Sequence, residues 1–113
     1  MTNAETEKTE KKEGIRMPEL LVIARHTMTA GKEEEVLALL PKLVAAARTE
    51  PGNVSFTAYR QLDAPRTYVL LERYASREAF AAHRETAHFK ELVLGEIVPR
   101  LDDRVIEMFD VPE

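Results

Sequence analysis

The stretch NVSFTAYRQLDAPRTYVLLERYA, residues 53–75, decides how the chain folds. Residues 53–61 alternate apolar and polar side chains, which is the period of a β-strand, and TYVLLERYA, residues 67–75, is typical of a second strand. Between them LDAPR, residues 62–66, contains Pro65 and is typical of a turn. The stretch therefore predicts a β-hairpin.

The segments on both sides of the hairpin predict two further strands and the helices that join them. Residues 19–28 are apolar and rich in β-forming side chains, whereas residues 32–50 carry apolar side chains at helical spacing. Three elements are predicted after the hairpin: a helix at 77–84 capped by Ser76, a helical segment at 87–101 capped by Thr86, and a strand at 103–111. The order βαββαβ predicts an α+β, ferredoxin-like domain, with helices on one face of a four-stranded antiparallel sheet.

The composition excludes several classes of protein. The 113 residues are 44% hydrophobic and 32% charged, which predicts one compact domain. Cysteine is absent, so disulfides and thiolate chemistry are excluded. A net charge of −4 argues against nucleic acid as the main partner. Neither a membrane span nor a signal peptide is recognisable, so a cytoplasmic location is expected.

Residues 1–16 differ in composition from the rest of the chain. They carry four Glu, three Lys and one Arg, and almost no large apolar side chain. Such a segment buries too little surface to offset the entropy of ordering it. We expect a flexible, charged tail at 1–16 and one folded domain at 17–113.

The strands of this sheet carry apolar side chains on both faces. In the strand at 67–75, Tyr68 and Leu70 lie on one face, and Val69 and Leu71 lie on the other. Helices cover only one face, and a bare apolar sheet face marks a surface for association. The sequence therefore predicts a homodimer that packs sheet against sheet.

Glu72 lies on the same strand face as Tyr74, where a carboxylate enters an apolar layer. Burial of an unpaired carboxylate is costly or raises its pKa, so a polar partner is expected. His83, on the next helix and on the same side as Phe80, is the nearest candidate, and such a pair prepares an imidazole for general-base catalysis. Two plainer interpretations stay open: Glu72 pairs with Arg73 or a surface lysine, and His83 is a satisfied core residue.

The remaining histidines give weaker signals. His88 begins the second helical segment and is expected at the rim of a pocket or in solvent. His83 and His88 are five residues apart and are therefore expected to point to different faces, whereas a helical metal site needs histidines four apart, so no metal site is predicted. His26 is expected in solvent.

Residues 50–92 resemble the antibiotic biosynthesis monooxygenase domain family. The resemblance rests on PGN at 51–53, LERY at 71–74 and SREAFAAHRETAHF at 76–89, and GKEEEVLALL at 31–40 fits the first helix of the family. It implies a dimeric α+β barrel with a pocket between the helices and the concave sheet face. The family includes quinol monooxygenases that need no cofactor.

The resemblance also implies roles for individual residues. His83 matches the helix histidine of the family and becomes the base, and Glu72 matches its strand glutamate and becomes the orienter of that base. The residues expected to bind substrate are Asn53, Phe56, Tyr74, Phe80, His88 and Phe89. The substrate would be a small, electron-rich quinol or anthrone that reacts with O₂, without metal or flavin. The chain has no Trp, which counts against the haem-degrading relatives.

Two alternatives to an oxygenase remain from the sequence. One is an isomerase-like relative that acts on a small phosphorylated metabolite of the autoinducer-2 type, which a basic rim of Arg60, Arg84 and Lys90 would favour. The other is a dimeric ligand-binding or stress protein without catalytic activity. In that protein His83 and Glu72 would only stabilise the fold.

Overall fold

The computed structural model describes residues 18–112 and contains a four-stranded antiparallel sheet with helices packed on one face. The strand order is β2-β3-β1-β4. The strands are β1 (Glu19–Met28), β2 (Asn53–Arg60), β3 (Thr67–Tyr74) and β4 (Leu101–Val111). The predicted tail at residues 1–16 lies outside the described residues.

The helices follow the predicted βαββαβ order. They are α1 (Glu33–Ala47), α2 (Arg77–Arg84), a π-helix (Phe89–Ile97) and a single 3₁₀ turn (Val98–Arg100). The ferredoxin-like prediction is therefore confirmed. Within residues 18–112, none of these helices has the length and apolarity needed to cross a bilayer.

The central position of β1 explains its apolar sequence. It pairs with β3 on one side and with β4 on the other, so neighbouring strands satisfy its backbone. Alternate side chains from Leu20 to Met28 are buried against the helices. Leu21 and Ile23, on the opposite face, are only half-buried in the single chain.

The predicted apolar stripe of α1 is confirmed, because Val36, Leu40, Leu43 and Ala47 are its buried residues. Pro41 lies inside the helix, which continues past it to Ala47. At the end of α1 the guanidinium of Arg48 donates a hydrogen bond to the carbonyl of Phe56, 3.0 Å away, and so ties α1 to β2.

Two local features differ from the sequence prediction. The alternation of residues 53–61 predicts that Val54 shares the inner face with Phe56, but Val54 is 51% exposed, because the register between β2 and β3 shifts between Asn53 and Ser55. This bulge places an extra residue in β2 and turns the Val54 side chain outward.

The second difference is the π-helix, where the sequence predicted ordinary helical geometry. Thr86 caps this segment as expected, since its hydroxyl accepts a hydrogen bond from the amide of Phe89, 3.2 Å away. A Cβ at Gly95 would lie 3.3 Å from the carbonyl oxygen of Lys90, five residues earlier. The missing side chain therefore relieves crowding in the wider helix, and π-helical turns are frequent at functional sites.

Candidate functional site

A cavity of about 190 Å³ lies between the inner sheet face and the helices. Its walls are mainly apolar, and Ala24 at the centre of β1 leaves room where a larger side chain would fill the space. The apolar lining includes Val22, Ala24, Phe56, Leu70, Phe89 and Val93. An apolar cavity of about 150 Å³ can hold benzene, so this one suits a small aromatic molecule.

Glu72 lines this cavity and is almost completely buried. Its carboxylate accepts a hydrogen bond from the hydroxyl of Tyr74, 2.5 Å away, on the same face of β3. Burial raises the pKa of Glu72 to about 7, although the hydrogen bond from Tyr74 and the charge of Arg104 act in the opposite direction. Glu72 can therefore give up or take up a proton near neutral pH.

The prediction that His83 pairs with Glu72 is wrong. His83 is buried and lines the cavity, but its Nδ1 lies 2.7 Å from the carboxylate of Glu50, not of Glu72. The plainer interpretation of Glu72 is also wrong, since Arg73 pairs with Glu19. Glu72 and His83 therefore belong to two separate hydrogen-bonded pairs that line one cavity.

The Pro51-Gly52 turn brings Glu50 to His83. The carbonyl of Gly52 accepts a hydrogen bond from the amide of Ala75, 2.8 Å away. A Cβ on Gly52 would lie only 2.4 Å from the Cβ of Ala79, so glycine lets the turn approach α2 closely. The sequence signal for this contact is the EPG stretch at 50–52, in which Glu50 directly precedes the turn.

Four aromatic rings surround the His83 imidazole, at 5.2–6.1 Å between ring centroids: Phe56, Tyr74, Phe80 and Phe89. Burial lowers the pKa of His83, and this effect exceeds the opposing influence of Glu50. Glu50 does raise the pKa of His83, but desolvation has the larger effect, so the imidazole is less basic than a free histidine. The imidazole is neutral at pH 7.

A carboxylate can only accept hydrogen bonds, so the proton of the neutral ring belongs on Nδ1, beside Glu50. This tautomer leaves Nε2 of His83 with a free lone pair. Because Nδ1 faces Glu50, Nε2 is the ring nitrogen available to a molecule in the cavity. Such an arrangement can remove a proton from a bound ligand.

His88 lies at the rim, as expected, with 22% of its side chain exposed. Its Nε2 lies 2.5 Å from the same Glu50 oxygen that His83 contacts. The prediction that His83 and His88 point to different faces is wrong, because α2 ends at Arg84 and a turn separates the two histidines.

Glu50, His83 and His88 could hold a metal ion. One ligand atom from each of the three lies within 4.8 Å of the others. Two imidazoles and a carboxylate are ligands that zinc and other divalent transition metals accept. A metal held there through Nδ1 of His83 would displace the hydrogen bond between His83 and Glu50, so the two arrangements exclude each other.

The other predicted binding residues divide into two groups. Phe56, Phe80 and Phe89 line the cavity, whereas Tyr74 contributes through its hydrogen bond to Glu72. The amide of Asn53 donates hydrogen bonds to the carbonyls of Ser55 and Arg73 at the bulge, and Asn53 does not line the cavity. This geometry therefore favours a structural role for Asn53 at the bulge over a role in substrate binding.

The predicted basic rim is only partly present. Arg84 lines the cavity, with its guanidinium 5.1 Å from the centre of the Phe80 ring. Arg60 instead donates to the carbonyl of Pro65 at 2.8 Å, and Lys90 pairs with Glu85 at 3.0 Å.

Sequence reasoning missed a second polar end of the cavity. His26 was expected in solvent but is 1% exposed and lines the cavity, as does Arg104. Nδ1 of His26 lies 2.7 Å from the hydroxyl of Tyr68, and burial lowers the pKa of His26 to about 4. The alternation of β1 could have revealed it, because His26 shares a face with Val22 and Ala24.

Comparisons with known proteins support the family expected from the sequence. Residues 20–93 match the sequence profile described as "Antibiotic biosynthesis monooxygenase". A Bacillus subtilis (strain 168) protein named "Putative monooxygenase YcnE" is 36% identical over 62 residues, which cover 55% of this chain and 65% of that protein. The match thus spans slightly less than two thirds of that relative.

Solved structures show the same fold. A crystal structure of antibiotic biosynthesis monooxygenase is 27% identical with a TM-score of 0.78, and the match covers 83% of this chain and 99% of that one. A Pseudomonas aeruginosa protein has a TM-score of 0.79 at 23% identity, with coverage of 88% and 100%, and shows likeness of fold alone.

Proposed function

The chain belongs to the antibiotic biosynthesis monooxygenase family, and from this premise we propose that it oxidises a small, electron-rich quinol or anthrone with O₂, without a metal or organic cofactor. One observation carries the proposal. His83 lines an apolar cavity with one ring nitrogen held by Glu50, which leaves the other available to a substrate.

The first step is removal of a proton from the substrate by Nε2 of His83. Neutral imidazole is the form that accepts a proton, and burial keeps His83 in this form at pH 7. Glu50 then stabilises the imidazolium that forms, because its carboxylate lies 2.7 Å from Nδ1. In this proposal Glu50, rather than Glu72, orients the base.

The remaining steps belong mainly to the substrate and O₂. The substrate anion transfers one electron to O₂, and the resulting radical and superoxide combine to form a C–O bond. The peroxide takes up a proton to become a hydroperoxide, which loses water and leaves a carbonyl group. For an anthrone, the CH₂ carbon and one O₂ thus yield C=O and one water.

Glu72 is the second acid–base group of the proposed reaction. With its pKa raised to about 7, part of the population is protonated at neutral pH and can supply the proton that the peroxide needs. The apolar walls formed by Phe56 and Phe89 exclude water and so favour combination of the substrate radical with superoxide inside the cavity.

Oxygen consumption tests this proposal directly. We expect O₂ uptake with one or more members of a panel of quinols and anthrones, and no change after treatment with a chelator. His83→Ala should lower kcat by about 10²-fold or more, the usual contribution of a general base. Glu50→Gln should lower kcat less, and His88→Ala should change KM more than kcat.

Three outcomes would overturn the proposal. A fully active His83→Ala variant would exclude this histidine as the base. Loss of activity on chelation, restored by added metal, would assign catalysis to a metal at Glu50, His83 and His88. Tight binding of aromatic molecules without O₂ uptake would favour the ligand-binding alternative.

One observation favours the isomerase-like alternative. Arg84 and Arg104 both line the cavity, so an anionic substrate would meet positive charge there. Turnover of a small phosphorylated sugar, with no O₂ consumed, would support this alternative against the oxygenase.

We also propose that the protein is a homodimer formed through the outer face of the sheet. That face carries half-buried Leu21, Ile23 and Leu71, and the exposed Val105 and Phe109 extend it across β4. Apolar side chains gathered on one face of a small domain are typical of an interface. The cytoplasmic location stays a prediction from the sequence.

A further inference from the structure

The polar end of the cavity at His26 is not used by the proposed reaction. The ring of His26 is 1% exposed and packs against Tyr68, whose hydroxyl lies 2.7 Å from Nδ1. Nε2 is buried and has no hydrogen-bond partner among the described residues. Buried polar atoms without partners are rare in native proteins, so this atom calls for an explanation.

The strand register shows how far His26 lies from the catalytic end. Val22 pairs with Glu72 across β1 and β3, and His26 pairs with Tyr68 four residues further along. At roughly 3.3 Å per residue, the two positions are about 13 Å apart along the sheet. Ala24 and Leu70 form the apolar pair between them. The cavity therefore has two polar ends and an apolar middle.

Arg104 adds a positive charge at the His26 end. It pairs with His26 across β1 and β4 and lines the cavity. The pKa of His26 is lowered mainly by burial and further by the charge of Arg104. Among residues 18–112, no carboxylate forms an ion pair with Arg104 within 4.0 Å.

We propose that His26 and Arg104 form a second binding subsite, which holds an acidic oxygen of the substrate. Nε2 of His26 donates a hydrogen bond to this oxygen when the hydroxyl of Tyr68 donates to Nδ1, and Arg104 supplies the opposite charge. The ligand class is an aromatic of one or two rings with an oxygen at each end, the far one a phenolate or a carboxylate.

The inference rests on the proposed function only for what happens at the His83 end. Binding at the His26 end needs no O₂ and no turnover. A protein that consumes no O₂ but discriminates between ligands at His26 would contradict the proposed function and support the subsite. A protein that consumes O₂ but does not discriminate between ligands at His26 would support the proposed function and contradict the subsite.

Anaerobic titration with three two-ring probes tests the subsite. The probes are 2-naphthol, with one oxygen, 2,6-dihydroxynaphthalene, with a second hydroxyl, and 6-hydroxy-2-naphthoate, with a carboxylate instead. A hydrogen bond to a charged group predicts about tenfold tighter binding of 6-hydroxy-2-naphthoate than of 2-naphthol. Whether the diol or the carboxylate binds more tightly identifies the kind of acidic oxygen.

Two variants of His26 form a matched pair. The amide of His26→Asn can still contact the hydroxyl of Tyr68 but has no atom in place of Nε2, whereas His26→Gln places its amide near Nε2. We expect His26→Asn to abolish the preference for the second oxygen and to leave the affinity for 2-naphthol within about twofold. His26→Gln should retain part of the preference.

Arg104→Gln provides an independent test on an exposed strand position, where a folding defect is not expected. It should weaken binding of 6-hydroxy-2-naphthoate about tenfold and leave 2-naphthol unchanged. Equal affinity of the wild-type protein for all three probes would overturn the proposal. So would a His26→Asn variant that melts like the wild type and keeps the full preference.

Discussion

We expect the stability of Glu72→Gln, compared with that of the wild type, to increase as the pH rises from acidic to alkaline. Glu72 is 4% exposed, and burial raises its pKa from 4.5 to about 7. Between these values the folded chain binds the proton more tightly than the unfolded chain does. The stability that Glu72 contributes is therefore fully present below pH 4.5 and is lost as the pH rises through 7.

The size of the effect follows from the two pKa values. Each pH unit between 4.5 and 7 removes about 1.4 kcal/mol from the wild-type free energy of unfolding, so the whole interval removes about 3 kcal/mol. Gln does not titrate, and its carbonyl can still accept the hydrogen bond from Tyr74. The variant should consequently gain about 3 kcal/mol over the wild type between pH 4.5 and pH 8.5.

Urea denaturation of both chains, at equal protein concentration and at several pH values, measures this difference. The buried histidines titrate in both chains, so their contributions cancel. Glu91→Gln, at an exposed position, is the matched control and should show no such trend. A difference between Glu72→Gln and wild type that stays constant from pH 4.5 to pH 8.5 would refute the reasoning, because Glu72 would then titrate alike in the folded and unfolded chains.

Other predictions concern assembly, packing, acid stability and the N-terminal segment. Sedimentation at micromolar concentration should give about twice the chain mass, and Leu71→Lys should shift the protein to a monomer; a monomeric wild type contradicts the proposed interface. Gly52→Ala should cost about 1–3 kcal/mol in urea denaturation, because its Cβ would meet Ala79 at 2.4 Å, and Ala79→Gly should restore much of the loss. Because the pKa of His26 is lowered to about 4, its contribution to stability is present above pH 6.5 and is lost as the pH falls through 4. His26→Asn should therefore lose less stability in acid than the wild type. If both chains lose stability equally between pH 6.5 and pH 4, titration of His26 does not contribute to the loss. Deleting residues 1–16 should change the melting temperature by less than about 4 °C, and a larger decrease would mean that the segment contributes to the fold.

The sequence determined the order of strands and helices and the fold class, but it did not predict the bulge that turns Val54 outward or the π-helix. These features depend on signals within a few residues: the two-residue period of the hairpin, the cap at Ser76 and the turn at Pro51-Gly52. The hydroxyl of Ser76 does accept a hydrogen bond from the amide of Ala79, 3.1 Å away. The family resemblance added that His83 and Glu72 belong to one site, and both do line one cavity.

Only the tertiary structure decided which polar groups meet. Glu50 and His83 are 33 residues apart, and His26 and Tyr68 are 42 residues apart, so no local period relates them. Their contacts depend on how closely the Pro51-Gly52 turn approaches α2 and on the register of β1 with β3. The pKa of His83 likewise depends on whether burial or the carboxylate of Glu50 has the larger effect. Desolvation and pairing are set by the surrounding packed side chains, which come from distant parts of the chain.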